Sequence, residues 1–176
     1  LLGRDYFLVK NDFSKLFDQV KAHIEKNENW EALEKISEAI ALEPGNADAY
    51  ALRARNYHDL KQFDKALADY NEAIDLDSNN AIAYNNRGIL YRDTNRPEKA
   101  LADYSKVIEL KPNNAISHVN RGLLYQDLKR YDEALADYSK ATELDPNDAP
   151  AFFQRAMVYA QRNQIEKALT DYTKAI

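Results

Sequence analysis

Three histidines and several neighbouring carboxylates are the residues of this sequence whose types could carry catalysis or hold a metal ion. His23, His58 and His118 lie far apart along the chain and lack the spacing at which histidines share a metal. The carboxylate pairs, such as Asp132-Glu133, stand where helices are expected to begin, and negative charge suits that end of a helix. Acid–base catalysis also needs a pocket with a nucleophile or a metal, and no such residue set is present. The sequence therefore predicts no catalytic residue, no metal and no cofactor, so we expect a protein that is not an enzyme.

Composition narrows the class of protein further. The 176 residues include no cysteine, which excludes disulfides and thiol chemistry and leaves the compartment undetermined, with the cytoplasm as the default. The formal net charge of -5 argues against a nucleic-acid partner, because binding to phosphates requires a basic surface. No apolar stretch approaches the ~20 residues that span a bilayer, so no membrane insertion is expected. The start, Leu1-Leu2-Gly3, is neither an initiator methionine nor a signal peptide and predicts a piece of a longer chain.

A five-residue phrase recurs along the chain at a constant interval, which turns attention from single residues to repeats. Ala-Leu-Ala-Asp-Tyr begins at Ala66, Ala100 and Ala134, and Ala-Leu-Thr-Asp-Tyr begins at Ala168, so the starting positions differ by 34 each time. We divide the chain into an N-terminal segment or cap, 1–12, and about five repeats. The repeats are 13–46, which is degenerate, 47–80, 81–114, 115–148 and a truncated 149–176.

The apolar residues of each repeat predict two helices. In the third repeat they recur at three-and-four spacing over 81–94 and 97–110. Pro97 stands near the first turn of a predicted helix, where its missing N–H costs nothing. Helices of this length are marginal alone in water, so each pair must bury its apolar face against its neighbours. Ten of the twelve tyrosines fall on recurring positions predicted to be core, and only Tyr6 and Tyr131 do not.

The period and its punctuation resemble the tetratricopeptide repeat. The family's signature falls on Tyr84, Gly88, Tyr91, Ala100, Tyr104 and Pro112 in the third repeat, and on His118, Gly122, Tyr125, Ala134, Tyr138, Ala141 and Pro146 in the fourth. Departures are modest, with Ala54 and Ala156 replacing the small glycine. The resemblance implies an all-α fold, a right-handed α-solenoid of antiparallel helix pairs (the TPR superhelix). It also implies a concave groove lined by the first helix of each pair.

Four arginines at the repeat interval have a matching aspartate sixteen residues later. The pairs are Arg53 with Asp69, Arg87 with Asp103, Arg121 with Asp137, and Arg155 with Asp171. The first repeat lacks both partners, because it has Gln19 and Lys35 in their places. This joint presence and absence predicts a structural ion pair, within a helix pair or between neighbours. The alternative is an arginine ladder for anionic ligands. His118 takes the place of Tyr84 and Phe152, and we expect it to be a packing residue.

The groove implied by the resemblance supplies the candidate binding residues. Asn86, Asn120 and Gln154 form an amide row, beside which stand Ile82, Ile89, Ile116, Leu123 and Met157, with Arg55 and Asn85 as further polar groups. Amides carry donors and acceptors, so a row at one-repeat intervals can pair with the backbone of an extended peptide. The alternative is that the asparagines solvate this face and the aliphatic residues pack against the next repeat.

The predicted function is a protein-interaction scaffold that binds an extended peptide or partner segment in its groove. A second interpretation is a structural or oligomerisation module that uses its ends and convex face, since the chain stops at Ile176 without a polar capping helix and could self-associate there. A third is a repeat domain that recruits substrate for a larger enzyme. The sequence does not identify the partner.

Overall fold

The chain is helical throughout the part that the structure describes. The computed structural model describes the backbone of residues 2–26 and 28–176 and the side chains from 12 onward, except that of residue 27. Over this part the chain forms ten α-helices: α1 (Leu2–Glu25), α2 (Asn29–Leu42), α3 (Ala47–Asp59), α4 (Phe63–Leu76), α5 (Ala81–Asp93), α6 (Pro97–Leu110), α7 (Ala115–Asp127), α8 (Tyr131–Leu144), α9 (Ala149–Gln161) and α10 (Ile165–Lys174). Helix α1 runs through the predicted boundary between 12 and 13. The side chains of Tyr6 and its neighbours, on which the expectation of an N-terminal cap rests, lie outside the described residues.

Consecutive helices pack as pairs within two compact units, which are described separately. In the first unit, Leu1–Leu90, α1 packs on α2, α2 on α3, and α3 on α4. In the second unit, Tyr91–Ile176, α6 packs on α7, α7 on α8, α8 on α9, and α9 on α10. The short turns make the two helices of a pair antiparallel. The all-α fold of helix pairs predicted from the repeat period is therefore confirmed.

A side-chain cap starts the first helix of each of four pairs. The capping oxygen accepts a hydrogen bond from the backbone N–H three residues later, which satisfies a donor that the helix leaves unpaired. The bonds are Asn46 to Ala49 at 3.1 Å, Asn80 to Ala83 at 2.9 Å, Asn114 to Ser117 at 3.2 Å, and Asp148 to Ala151 at 3.1 Å. These caps recur once per repeat and fix where α3, α5, α7 and α9 begin.

A left-handed residue ends each of the same first helices. The four positive-φ residues are Lys61, Asn95, Lys129 and Asn163, with φ between 56° and 58°. The residue that follows each of them donates its N–H to a carbonyl five residues earlier, as Arg130 does to Tyr125 at 2.8 Å. This is the Schellman arrangement, which stops one helix and turns the chain into the next. None of the four is glycine, so each turn carries some backbone strain.

Small residues on a first helix let a tyrosine of the second helix lie against it. A Cβ built on Gly122 of α7 would lie 2.8 Å from Cε1 of Tyr138 on α8, so only glycine accommodates the ring in its present place. Tyr70, Tyr104 and Tyr138 occupy the same position in three successive repeats, and all three are fully buried. The aromatic ring thus fills the space that a small residue leaves beside it.

Tyr131 corrects one expectation about the core. The sequence predicted it to lie outside the recurring core positions, but it is half-buried and packs against Ala134, Tyr138 and Val158. As the first residue of α8 it closes the end of this cluster, a role that the repeat pattern hides because the equivalent positions hold different residue types.

Candidate binding surface

Three arginines of the first helices bind both oxygens of an aspartate on the second helix of their own pair. The Nε and Nη2 distances are 2.7 and 2.8 Å for Arg53 with Asp69, 2.7 and 2.8 Å for Arg121 with Asp137, and 2.6 and 2.8 Å for Arg155 with Asp171. The predicted structural ion pair is therefore confirmed at these positions. The hydrogen bond to the carboxylate raises the pKa of each of these guanidinium groups above its ordinary value, because it stabilises the cation.

The same arginines also reach the second helix of the preceding pair. Their Nη1 donates to Ser37 at 3.4 Å from Arg53, to Ser105 at 3.1 Å from Arg121, and to Ser139 at 3.3 Å from Arg155. The ion pair therefore ties neighbouring pairs together as well as the two helices of one pair. An arginine whose donors are engaged in this way has little left for an anionic ligand, so the ladder interpretation gains no support.

His118 is a buried packing residue, as the sequence predicted. Its side chain is 8% exposed, with Nδ1 3.0 Å from Oδ1 of Asp137 and Nε2 3.4 Å from the carbonyl oxygen of Pro112. It therefore contributes to the same buried cluster as the Arg121 ion pair. Within the described part of the chain, no three His, Asp or Glu residues are grouped so that they could hold a metal ion.

In the first unit, five predicted residues lie on α3 and α5 and remain accessible to solvent. Ile82 is 58% exposed, Arg55 is exposed, and Asn85, Asn86 and Ile89 are half-buried. The Asn85 amide donates to Oδ1 of Asn86 at 3.2 Å, which orients the second side chain. Arg55, Ile82 and Asn86 meet at one pocket, whereas Asn85 and Ile89 do not line it.

This pocket has a volume of about 280 Å³ and is lined from three helices. Its lining residues are Phe17 on α1, Asp48, Ala51, Leu52 and Arg55 on α3, and Ile82 and Asn86 on α5. The volume suits one or two side chains of a ligand, since pockets that enclose a whole drug-sized molecule are larger. Sequence analysis did not place Phe17, Asp48 or Ala51 at a site, because the first repeat is degenerate and its register with α3 is not evident from the pattern.

In the second unit, the other five predicted residues lie on α7 and α9. Ile116 is 65% exposed, and Asn120, Leu123, Gln154 and Met157 are half-buried. Phe153, one residue before Gln154, adds a further apolar group: it is 47% exposed and its ring lies 5.6 Å from that of Tyr172. This face is therefore apolar with interspersed amides, and it carries no charged residue among those named.

No described helix is both long enough and apolar enough to cross a membrane. Helix α1 is the longest of those described, at 24 residues, and its sequence mixes apolar and charged residues throughout.

Comparison with known families gives matches over most of the repeat region. A tetratricopeptide repeat model matches 81–114 and 115–148, a TPR repeat model matches 54–95, and a further tetratricopeptide repeat model matches 138–170. The matches together run from residue 54 to residue 170. A comparison with curated protein sequences found no significant match.

Several solved structures are similar to this chain. MamA from Desulfovibrio magneticus RS-1, from residue 41 to its end, has a TM-score of 0.80 at 16% identity, with 93% of each chain covered. PilF from Pseudomonas aeruginosa has a TM-score of 0.88 at 20% identity, covering 95% of this chain and 76% of that one. YrrB, described as a TPR protein with an unusual peptide-binding site, has a TM-score of 0.70 at 25% identity, covering 92% of this chain and 83% of that one. At their identities the first two indicate the fold alone.

Proposed function

The chain belongs to the tetratricopeptide repeat family, and from this we propose that it binds an extended segment of a partner protein on the exposed face of its first helices, α3, α5, α7 and α9. Membership in this family makes the chain a protein-interaction scaffold. The likeness to YrrB supports a peptide as the form of the ligand, since that protein is described as having a peptide-binding site.

The observation that carries the proposal is the exposure of large aliphatic side chains on two first helices. Ile82 on α5 is 58% exposed and Ile116 on α7 is 65% exposed, although both helices bury their opposite faces. Single exposed apolar residues are common, but here the same repeat position is apolar and exposed in each unit. Covering these side chains with a ligand would remove apolar area from water, which favours binding.

The amide row gives the proposed surface its means of holding a peptide backbone. Asn86 in the first unit, and Asn120 and Gln154 in the second, are each half-buried, so their amides are partly shielded from water yet accessible. An amide in such a place can donate to a peptide carbonyl and accept from a peptide N–H. The aliphatic residues beside each amide would then contact the side chains of the peptide.

A peptide-array screen tests this proposal. Wild-type protein is compared with the Asn86→Ala/Asn120→Ala double variant on the same array, and both are checked for an unchanged helical melt. We expect discrete peptides to bind the wild type and to bind the double variant at least tenfold more weakly, because two lost hydrogen bonds of about 1 kcal/mol each exceed the roughly 1.4 kcal/mol that corresponds to a factor of ten.

The matched control removes two amides from turns. Asn79 and Asn113 are exposed and precede α5 and α7, so Asn79→Ala/Asn113→Ala changes the same residue types away from the proposed surface. This control should bind as the wild type does. If no peptide binds the wild type, or if the two double variants bind equally well, the proposal is wrong.

Self-association through α10 is a second candidate function, favoured by one observation. Ile165 and Leu169 on α10 are 52% and 60% exposed. The residues one repeat earlier, Tyr131 and Leu135, pack against a cluster that includes Val158 of α9. The α10 face thus matches a surface that elsewhere in the second unit is covered by a first helix.

Sedimentation equilibrium at several concentrations tests the second candidate. We expect a concentration-dependent mass for the wild type and a monomer for Leu169→Lys, because a lysine at the centre of an apolar interface would be buried without a partner. Lys167→Glu, an exposed change on the same helix, is the control. A monomeric wild type at all concentrations would exclude this candidate. Nothing in the described residues favours the third interpretation, a recruiting domain of a larger enzyme.

A further inference from the structure

We propose that the pocket of the first unit selects peptides that carry a large apolar side chain close to an acidic residue, with the apolar group on Ala51 and the carboxylate at Arg55. This inference rests on the proposed function and names the ligand chemistry of one part of that surface. It depends on the shape of the pocket and on the charges at its rim.

The pocket has depth because its floor is a small residue. Ala51 is 4% exposed and stands where the later repeats have Asn85, Val119 and Phe153. Any of those larger residues would occupy part of the 280 Å³ that is open above Ala51. A cavity of this kind is therefore specific to α3, and it has room for a leucine or phenylalanine side chain.

The apolar walls are held in place by the core beneath them. Phe17 and Leu52 both pack against a buried cluster that contains Val20 and Ile36. The Phe17 ring also lies 4.8 Å from the ring of Phe13, centroid to centroid. A wall that is already fixed loses little entropy when a ligand binds, so the pocket is preorganised for an apolar group.

The two ends of the pocket differ in charge. Oδ1 of Asp48 accepts a hydrogen bond at 2.9 Å from Asn80, whose own oxygen caps α5, so this carboxylate has a fixed position and a satisfied partner. Arg55 is exposed and makes no ion pair with any residue of the described chain, in contrast to Arg53 with its bidentate aspartate. The guanidinium at this end is therefore the group that an acidic ligand would meet.

The spacing of these groups fits an extended peptide. Asp48 and Arg55 are seven residues apart on α3, which is a rise of about 10 Å. Three residues of extended chain cover about the same distance. A peptide whose apolar side chain enters the pocket can thus bring a residue one or two positions away to Arg55, while Asp48 repels an acidic residue at the other end.

Fluorescence anisotropy with short synthetic peptides tests the inference on the whole chain. Each peptide has a central leucine, blocked termini and a single variable residue, placed two positions before or two positions after the leucine. The variable residue is glutamate, glutamine or lysine. For one of the two placements we expect the glutamate peptide to bind about tenfold more tightly than the glutamine peptide, and the lysine peptide to bind most weakly.

Three variants locate this preference. Arg55→Gln should abolish the advantage of glutamate over glutamine, and Arg55→Glu should reverse the order so that lysine binds best. Lys65→Glu, which makes the same change of charge at an exposed site on α4, should keep the wild-type order. A further variant, Ala51→Val, should remove the advantage of a central leucine over a central alanine, because valine fills the floor as Val119 does in its own repeat.

The outcomes separate this inference from the proposed function. If peptides bind but their order is independent of charge, or if Arg55→Glu keeps the wild-type order, the inference is wrong while the proposed function stands. Equal affinity for central leucine and central alanine in the wild type would also overturn it. If no peptide binds, both fail. Circular-dichroism melts of each variant show whether a loss of binding reflects a loss of folding.

Discussion

Arg121 holds both carboxylate oxygens of Asp137, with Nε 2.7 Å from Oδ2 and Nη2 2.8 Å from Oδ1. Because Asp137 is only 4% exposed, the Arg121→Ala substitution would leave a carboxylate buried without its main partner. Breaking a buried pair costs about 3 to 5 kcal/mol, and the 22% exposure of the arginine side chain moderates this, so we expect a loss of about 2 to 3 kcal/mol in the free energy of unfolding. Urea unfolding followed by circular dichroism measures it.

An exposed arginine of the same unit provides the control for this prediction. Arg130 donates to Glu133 one turn later, and the two side chains are 46% and 44% exposed. Exposed pairs contribute little, so Arg130→Ala should change the free energy of unfolding by less than about 1 kcal/mol. Equal losses in the two variants would mean that the Arg121 pair contributes no more than a surface pair.

Gly122→Ala is expected to destabilise the protein, although alanine is the better helix former. The added Cβ would lie 2.8 Å from Cε1 and 3.0 Å from Cδ1 of Tyr138, so the buried ring must move. Overpacking of this kind costs about 1 to 3 kcal/mol, which exceeds the gain of up to about 1 kcal/mol in helix propensity. Thermal and urea unfolding report the difference. Gly45→Ala is the control, because nothing lies within 4 Å of a Cβ at that position. A more stable Gly122→Ala variant would show that the ring shifts without cost.

Two buried tyrosines should respond in opposite ways to loss of the hydroxyl. The Tyr138 hydroxyl donates to Oε1 of Gln126 at 2.8 Å, whereas the Tyr104 hydroxyl is buried and finds no hydrogen-bond partner in the described structure. Tyr138→Phe should therefore lose about 1 kcal/mol of stability, and Tyr104→Phe should be neutral or more stable by up to about 1 kcal/mol. Parallel urea titrations of the two variants give the comparison. A loss in Tyr104→Phe as large as that in Tyr138→Phe would contradict it.

Stability should fall at alkaline pH because of the buried tyrosines. Burial, which disfavours the phenolate, raises the pKa of Tyr104 to about 12 from its ordinary value of 10.0, and it also raises the pKa values of Tyr70 and Tyr138. Below pH 10 each phenol is protonated in both states and the contribution is complete. Between pH 10 and about 12 the unfolded chain releases the Tyr104 proton while the folded chain keeps it, so the free energy of unfolding decreases.

The measurement is the free energy of unfolding as a function of pH, and Tyr104→Phe is the matched variant. Each retained proton contributes a slope of about 1.4 kcal/mol per pH unit, so the variant should show a shallower decline above pH 10. The ultraviolet absorbance of the phenolate gives the tyrosine titration directly. If the two proteins lose stability in parallel over this range, Tyr104 does not contribute to the alkaline transition.

Replacing Lys129 with glycine should stabilise the protein. Lys129 has a φ of 58°, a conformation that costs a side-chain-bearing residue about 1 kcal/mol or more. Glycine removes this strain but adds freedom to the unfolded chain, so the net gain should be about 0.5 kcal/mol. Asn95→Gly, at a φ of 56°, should gain less because asparagine tolerates this region. Differential scanning calorimetry resolves the order, and a lower melting temperature for Lys129→Gly would contradict the prediction.

The helix pairs and the ion pairs were predictable because they recur. Arg121 and Asp137 are related by a separation of sixteen residues that the neighbouring repeats share, so their contact was evident without coordinates. The caps at Asn46, Asn80, Asn114 and Asp148 carry the same kind of signal, and the sequence analysis overlooked it. The candidate residues were assigned by resemblance to the family, and their role in binding stays a prediction.

The pocket of the first unit was not predictable for a physical reason. Its floor, Ala51, is an ordinary small residue, and its depth depends on where Phe17 of the degenerate first repeat lies relative to α3. No periodicity connects these residues, since the first repeat departs from the pattern that fixes register elsewhere.

The sequence by itself determined the helix pairs, their boundaries near Ala47, Ala81, Ala115 and Ala149, and the membership of the core, because hydrophobic period and repeat spacing are local properties that every copy restates. Only the tertiary structure decided which exposed residues share a pocket and which cation at its rim lacks an ion-pair partner in the described chain. Those properties depend on distances between side chains far apart in the chain, and a repeat pattern does not encode the places where its copies differ.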